Sequence, residues 1–222
     1  MLENLLTNNL LDLEQTIAKD LFQSYSYSWE VLPNIHDFII EYGRNLCKNK
    51  YLNPKENVWI SKNANVFESA YIEGPTIIED GVDVRHCAFI RGNAIIGKNC
   101  VVGNSTELKN VILFNNVQVP HYNYVGDSIL GYKAHMGAGS ITSNVKSDKS
   151  LVDVVIQKER IKTGLKKFGA IIGDYAEIGC NAVLNPGTII GRNSNVYPLT
   201  MVRGYVKDNS IIKNDGSIID KF

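Results

Sequence analysis

The sequence predicts an all-β solenoid, a stack of short parallel strands, and three observations predict it. An aliphatic residue returns every six positions from Ile60 onward. A mostly small residue returns two positions before it, and no three-to-four-residue helical spacing competes over the same stretch.

Written in sixes from Asn57, the large column reads Ile60, Val66, Ile72, Ile78, Val84, Ile90, Ile96, Val102 and Leu108, with Phe114 as the tenth. The companion column reads Val58, Ala64, Ala70, Thr76, Val82, Ala88, Ala94, Cys100 and Thr106. Residues two apart on a strand share a face, so both columns point inward. The pair returns at Leu130, Met136 and Thr142, and again from Ile172 to Val202. A meander of hairpins would need turn dipeptides between longer strands. Sixes of this kind resemble the hexapeptide-repeat family. That resemblance implies a left-handed parallel β-helix, with three strands per triangular coil of about 18 residues. About seven coils are expected between Asn57 and Lys207, stacked about 4.8 Å apart.

Two breaks interrupt the columns. Phe114 and Leu130 stand two sixes plus four apart, which predicts a bulge around Pro120-His121-Tyr122-Asn123-Tyr124. Over Val145 to Phe168 the columns vanish, which predicts an arm leaving the prism at about 145–168. The β-helix is therefore placed at 51–222 and a helical unit at 1–50. Leu2, Leu5, Leu6, Leu10, Leu13, Ile17 and Leu21 predict one amphipathic helix over 2–22. A second helix is expected from Pro33, using Ile35, Phe38, Ile39, Tyr42 and Leu46. Capping the open end of the solenoid is the role preferred for this unit over assembly of an oligomer.

Lys and Arg total 23, as do Asp and Glu, so the formal net charge is zero. This argues against nucleic acid as the main partner. No signal-peptide pattern and no bilayer-length apolar run occurs, so a cytoplasmic protein without membrane attachment is expected. Cys47, Cys87, Cys100 and Cys180 form no CxxC pair and read as reduced, mostly structural thiols.

The repeat also places side chains that carry chemistry. Arg91 and Lys109 are 18 residues apart, hence neighbours in adjacent coils, each just after an inward aliphatic residue. Two stacked cations call for an anion, and phosphate suits the arginine fork. His121, in the predicted break, is a candidate general base. Glu107 lies two before Lys109, but 12 residues separate Lys109 from His121. Only the bulge or a neighbouring subunit would bring this carboxylate to the imidazole. A three-histidine zinc site of the γ-carbonic-anhydrase type is disfavoured, because His86, His121 and His135 have no matching spacing. No metal is expected.

Residues from about Phe89 to Met201 are similar to the acetyltransferase half of the bifunctional enzymes that make UDP-N-acetylglucosamine. The match rests on His121-Tyr-Asn-Tyr124-Val-Gly126-Asp127 and on Gly137-Ala138-Gly139-Ser-Ile-Thr142-Ser-Asn144. The arm around Gly164 to Asp174 resembles that of the archaeal-type members. The resemblance implies transfer from acetyl-CoA to an amino-sugar 1-phosphate such as glucosamine 1-phosphate, within a homotrimer. It makes His121 the base with Glu107 as its partner, and it places Arg91, Lys109, Tyr124, His135 and Lys167 at the sugar phosphate. Ala138 and Asn144 fall at the acetyl-CoA. Several positions depart from the pattern: His135 replaces an Asn, Val145 a Tyr, Cys180 a Ser and Pro198 a small residue. The cofactor side is thus the more altered. A non-catalytic sugar-phosphate module is the alternative this departure raises.

Overall fold

A computed structural model describes residues 2–221. Three faces of parallel strands form a prism. The first face runs through Val58–Ser61, Thr76–Ile78, Ala94–Ile96, residues 111–113 and 128–130, Ala170–Ile172, Thr188–Ile190 and Tyr205–Val206. The second runs from Asn65–Val66 to Ser210–Ile212 through Val101–Asn104, Gln118–His121 and His135–Met136. The third joins Tyr71–Ile72, Phe89–Ile90, residues 107–108 and 124–125, Ile141–Thr142, Val183–Leu184 and Met201–Val202. The first two faces have eight levels, against the roughly seven expected. Each end is blunted by an antiparallel strand: Tyr51–Lys55 on Val58–Ser61, and Ile218–Asp220 on Ser210–Ile212.

The first break has a different form from the one the sixes predicted. Val101 pairs with Gln118 and Gln118 with His135, both 17 residues apart, so these coils are shorter by one and nothing bulges. The missing residues are at two corners. Three residues separate Ile90 from Ala94, but only Lys109-Asn110 separate Leu108 from Val111, and only Gly126-Asp127 separate Val125 from Ser128. With two steps of five, the large column continues unbroken: Val102, Leu108, Leu113, Val119, Val125, Leu130, Met136. All seven are fully buried. Leu113, not Phe114, is level with Ile96. Phe114 turns outward against Phe22, ring centroids 5.9 Å apart. The small column then passes through Asn123, a buried asparagine whose amide donates to the Gly137 and Ser140 carbonyls.

The helical unit does not cap an end. On the first face an outward column of Trp59, Ile77, Ile95, Ile112, Ile129, Ile171, Ile189 and Tyr205 runs in register, and its six isoleucines are fully buried. The unit runs along this face, from Trp59 at its first level to Asp174 and Tyr205 near its last. Trp59 packs on Gly43, Asn110 donates to the Leu32 carbonyl at 3.2 Å, and Trp29 meets Phe168 at 6.0 Å. Burying each isoleucine contributes roughly 1.5–3 kcal/mol. The predicted 2–22 helix is instead four short turns, Leu2–Leu5, Thr7–Leu10, Leu13–Gln15 and Lys19–Phe22. The prism draws its backbone out of helical pairing: Leu10 accepts from the Asp174 N–H, Gln15 accepts from the Asn115 N–H, and the Asp12 N–H donates to the Asp174 carboxylate. A 3₁₀ stretch, Ser28–Asn34, precedes the second helix, which starts at Ile35 and ends at Arg44.

The arm is a hairpin, Asp153–Ile156 against Glu159–Lys162, with Val152, Val154 and Ile156 buried toward the C-terminal coils. Gly204, at φ +79°, lets the Val155 carbonyl come within 2.6 Å of where a Cβ would stand. Cys100 alone among the thiols is buried; Cys47, Cys87 and Cys180 are exposed, so they are not core residues.

Candidate functional site

Two prism edges carry the candidate residues. Edge A, between the second and third faces, stacks His86, Asn104, His121, Ala138, Cys180 and Pro198. Their order is set by a ladder in which Tyr122 donates to Asn104, Gly139 to His121, Asn181 to Ala138 and Leu199 to Cys180. The residue after each corner position takes a left-handed backbone: Ser105, Tyr122, Gly139, Asn181 and Leu199 all have φ between 51° and 72°. His121 is exposed, and its backbone N–H is held by the Asn123 side chain at 3.1 Å.

Edge B, between the third and first faces, carries the shortened corners. Asn110 and Asp127 have φ of 56° and 48°, which closes each corner in two residues. Asp127 is nearly buried and accepts from Lys109 Nζ at 3.1 Å on both carboxylate oxygens, from Asn110 Nδ2 at 3.1 Å, and from Asn144 Nδ2. Asn144 also donates to the Tyr124 hydroxyl at 3.2 Å. The Tyr124 ring folds back over Gly126, where any Cβ would lie 2.5 Å from the hydroxyl. Burial, and then the charge of Asp127, raise the Tyr124 pKa. Glu107 accepts from Arg91 Nη1 at 2.7 Å, and this hydrogen bond raises the Arg91 pKa.

The structure therefore brings Arg91, Glu107, Lys109, Tyr124 and Asn144 to one edge. Lys167 is exposed at its rim, next to Phe168, whose N–H donates to the Asn144 carbonyl. Glu107 and Asp127 of the same chain stand beside the two stacked cations. Within one chain Glu107 belongs to Arg91, and His121 stands across the third face on edge A. Asn144 joins the Tyr124 cluster, away from Ala138. His135 is on the second face, with Nδ1 2.7 Å from Glu177 Oε2. Sequence reasoning gives no individual role to Asp127, Asn110 or Asn123; the two five-residue steps are the signal that finds them.

Residues 169–204 match the model described as bacterial transferase hexapeptide (six repeats), and residues 72–161 match the GMPPB C-terminal domain. The chain is a hexapeptide-repeat protein. It is 37% identical over 184 residues to a protein named Bifunctional protein GlmU from Methanococcus aeolicus, covering 75% of this chain and 44% of that one. A protein of the same name from Methanococcus vannielii is 32% identical over 242 residues, covering 100% of this chain and 58% of that one. The Bifunctional sugar-1-phosphate nucleotidylyltransferase/acetyltransferase of Sulfurisphaera tokodaii is 32% identical over 166 residues, covering 66% and 41%. The hexapeptide-repeat chain thus spans about half the length of the curated relatives it matches.

Proposed function

We propose that this hexapeptide-repeat protein is an N-acetyltransferase that moves an acetyl group from acetyl-CoA to an amino-sugar 1-phosphate such as glucosamine 1-phosphate. The observation that carries the reading is the shortened corner: the repeat gives up one residue in each of two coils where Lys109 and Asp127 stand. Both corners carry the polar residues of the site, and Lys109 and Asn110 at one are hydrogen-bonded to Asp127 at the other. Arg91, Lys109 and Lys167 are the phosphate contacts, outnumbering the carboxylates Glu107 and Asp127. The Sulfurisphaera relative is named a bifunctional sugar-1-phosphate nucleotidylyltransferase/acetyltransferase, which agrees with that chemistry.

On edge A, His121 takes the amine proton as the nitrogen attacks the thioester carbonyl, and returns it to the coenzyme A sulfur as the C–S bond breaks. The backbone N–H of Ala138, one level along, meets no acceptor among the described residues and would steady the oxyanion. Since edges A and B are separated by the third face, the reading needs a second copy. A parallel homotrimer sets edge A of one copy against edge B of the next and brings the His121 imidazole to the Glu107 carboxylate. Exposed apolar side chains flank the third face: Tyr71, Phe89 and Met201 on it, and Tyr122 and Leu199 at its edge. The first face is already covered by the helical unit and the arm. Calorimetric titration with acetyl-CoA and with glucosamine 1-phosphate tests the reading. Both ligands should bind, and failure of acetyl-CoA to bind would overturn it.

A further inference from the structure

The remaining prism edge, edge C, lies between the first and second faces. One residue per level along it takes a left-handed backbone, with φ between 50° and 71° from Gly81 to Asn209. Glycine and asparagine adopt this conformation most readily, and they fill every level but two. The exceptions, Lys133 and Tyr175, stand on adjacent levels, since the Tyr175 N–H donates to the Tyr132 carbonyl. A lysine and a tyrosine held in this conformation are strained, and strain is kept where a side chain is needed.

Both side chains line a pocket of about 570 Å³ that opens on the second face. Tyr175 is exposed, and its ring meets that of Tyr132 edge-on at 5.4 Å. The Lys133 ammonium lies 5.2 Å and 5.7 Å from the centres of the Tyr132 and Tyr175 rings. A second cation in the pocket, Lys221, donates from Nζ to the Asn193 carbonyl at 3.1 Å and to its side-chain oxygen at 2.9 Å. Neither lysine pairs with a carboxylate among the described residues, and the pocket's one carboxylate, Glu177, is already engaged by His135. The amides of Asn116 and Gln118 complete the wall. Two cations without a carboxylate call for an anion, and free amides suit hydroxyl groups. An exposed tyrosine ring suits the flat C–H face of a pyranose.

We propose that this pocket binds an anionic sugar, a pyranose carrying a phosphate or a carboxylate, with Tyr175 stacked on the ring and Lys133 and Lys221 on the charge. The site is separate from the edge B cluster and from His121, and it does not depend on the acyl-transfer reading. It opens on the second face, which the helical unit and the proposed contact between copies leave uncovered. It also accounts for the two corners that forgo asparagine.

The test uses the full chain carrying Lys109→Ala, which suppresses binding at edge B. Calorimetric titration compares glucose 1-phosphate, glucuronate, methyl glucoside and inorganic phosphate. At least one of the two anionic sugars should bind about tenfold more tightly than the uncharged glucoside, the worth of a charged hydrogen bond. Whether it is the phosphate or the carboxylate separates a free sugar phosphate from an acidic polysaccharide. Inorganic phosphate should bind more weakly than the preferred sugar, because it offers nothing to Tyr175. Adding Lys133→Asn/Tyr175→Asn gives both corners the residue their neighbours carry, so melting should hold or rise. Sugar binding should nevertheless fall at least about tenfold. Lys221→Ala, which alters neither corner residue, should weaken the sugar in the same direction and decides the matter if the double substitution disturbs the fold. In wild-type protein the bound sugar should also slow chemical acylation of the Lys133 and Lys221 amines. Failure of both anionic sugars to bind, unchanged binding in the corner and Lys221 variants, or full labelling of both lysines at saturating sugar would each overturn the proposal. Inorganic phosphate binding as tightly as the sugar overturns it too. Acetyl-CoA binding is untouched by any of these outcomes, so the acyl-transfer reading stands or falls separately.

Discussion

Glu79 sits almost fully buried near Tyr42 of the helical unit, with Oε2 unpartnered among the described residues. Burial pushes its pKa up to about 7 from 4.5, against the pull of Lys98. Below pH 4.5 the carboxyl is neutral whether or not the chain is folded. Between 4.5 and 7 the unfolded chain ionises first, so stability falls as pH rises, and above 7 the loss is constant. Its size is on the order of 3 kcal/mol. Glu79→Gln should therefore unfold at higher urea than wild type at pH 8, and at the same urea near pH 4. An equal gap at both values would contradict the assignment. At the candidate site, Lys109→Ala removes the one cation on the buried Asp127 carboxylate. It should weaken glucosamine 1-phosphate roughly ten- to a hundredfold while leaving acetyl-CoA affinity nearly unchanged. Equal loss of both ligands would mean that the corner had collapsed.

The element that matters most is the two-residue corner. Inserting one glycine between Lys109 and Asn110 restores a six-residue step, and stacked coils tolerate such local changes. Melting should shift by only a few degrees, whereas sugar-phosphate binding should fall at least about tenfold, because Asn110 leaves its place beside Asp127 and the two-residue corner that holds Lys109 on that carboxylate opens. Retained binding would detach the site from the corner. This element also marks the limit of sequence reading. The columns gave the prism, the arm and the pairing of Arg91 with Lys109 across coils, because burial imposes a strict period of two within each strand. A strict six cannot reveal a five: it puts the lost residue at Pro120–Tyr124 and sets Phe114 in the inward column, where Leu113 stands. The helical unit misled for another reason: its leucine spacing is helical, yet hydrogen bonds offered by Asn115 and Asp174 of the prism break it into turns. Its docking against a flank rather than an end was written in the third apolar column, Ile77 to Ile189, lying between the two that were read.

For the whole molecule, the account requires more than one copy, since His121 and the edge B cluster lie on opposite sides of the third face. Light scattering at micromolar concentration should report three times the 24.7 kDa chain mass, and a monomer would leave the site without its second wall. Coupling of base, phosphate contacts and acyl donor is read most directly by thiol release from acetyl-CoA in the presence of glucosamine 1-phosphate. Wild type should release thiol only when the amino sugar is present. His121→Ala, which touches neither inward column, should melt like wild type yet turn over about 10²–10⁴ times more slowly. Turnover by the His121→Ala variant at more than half the wild-type rate would contradict the account.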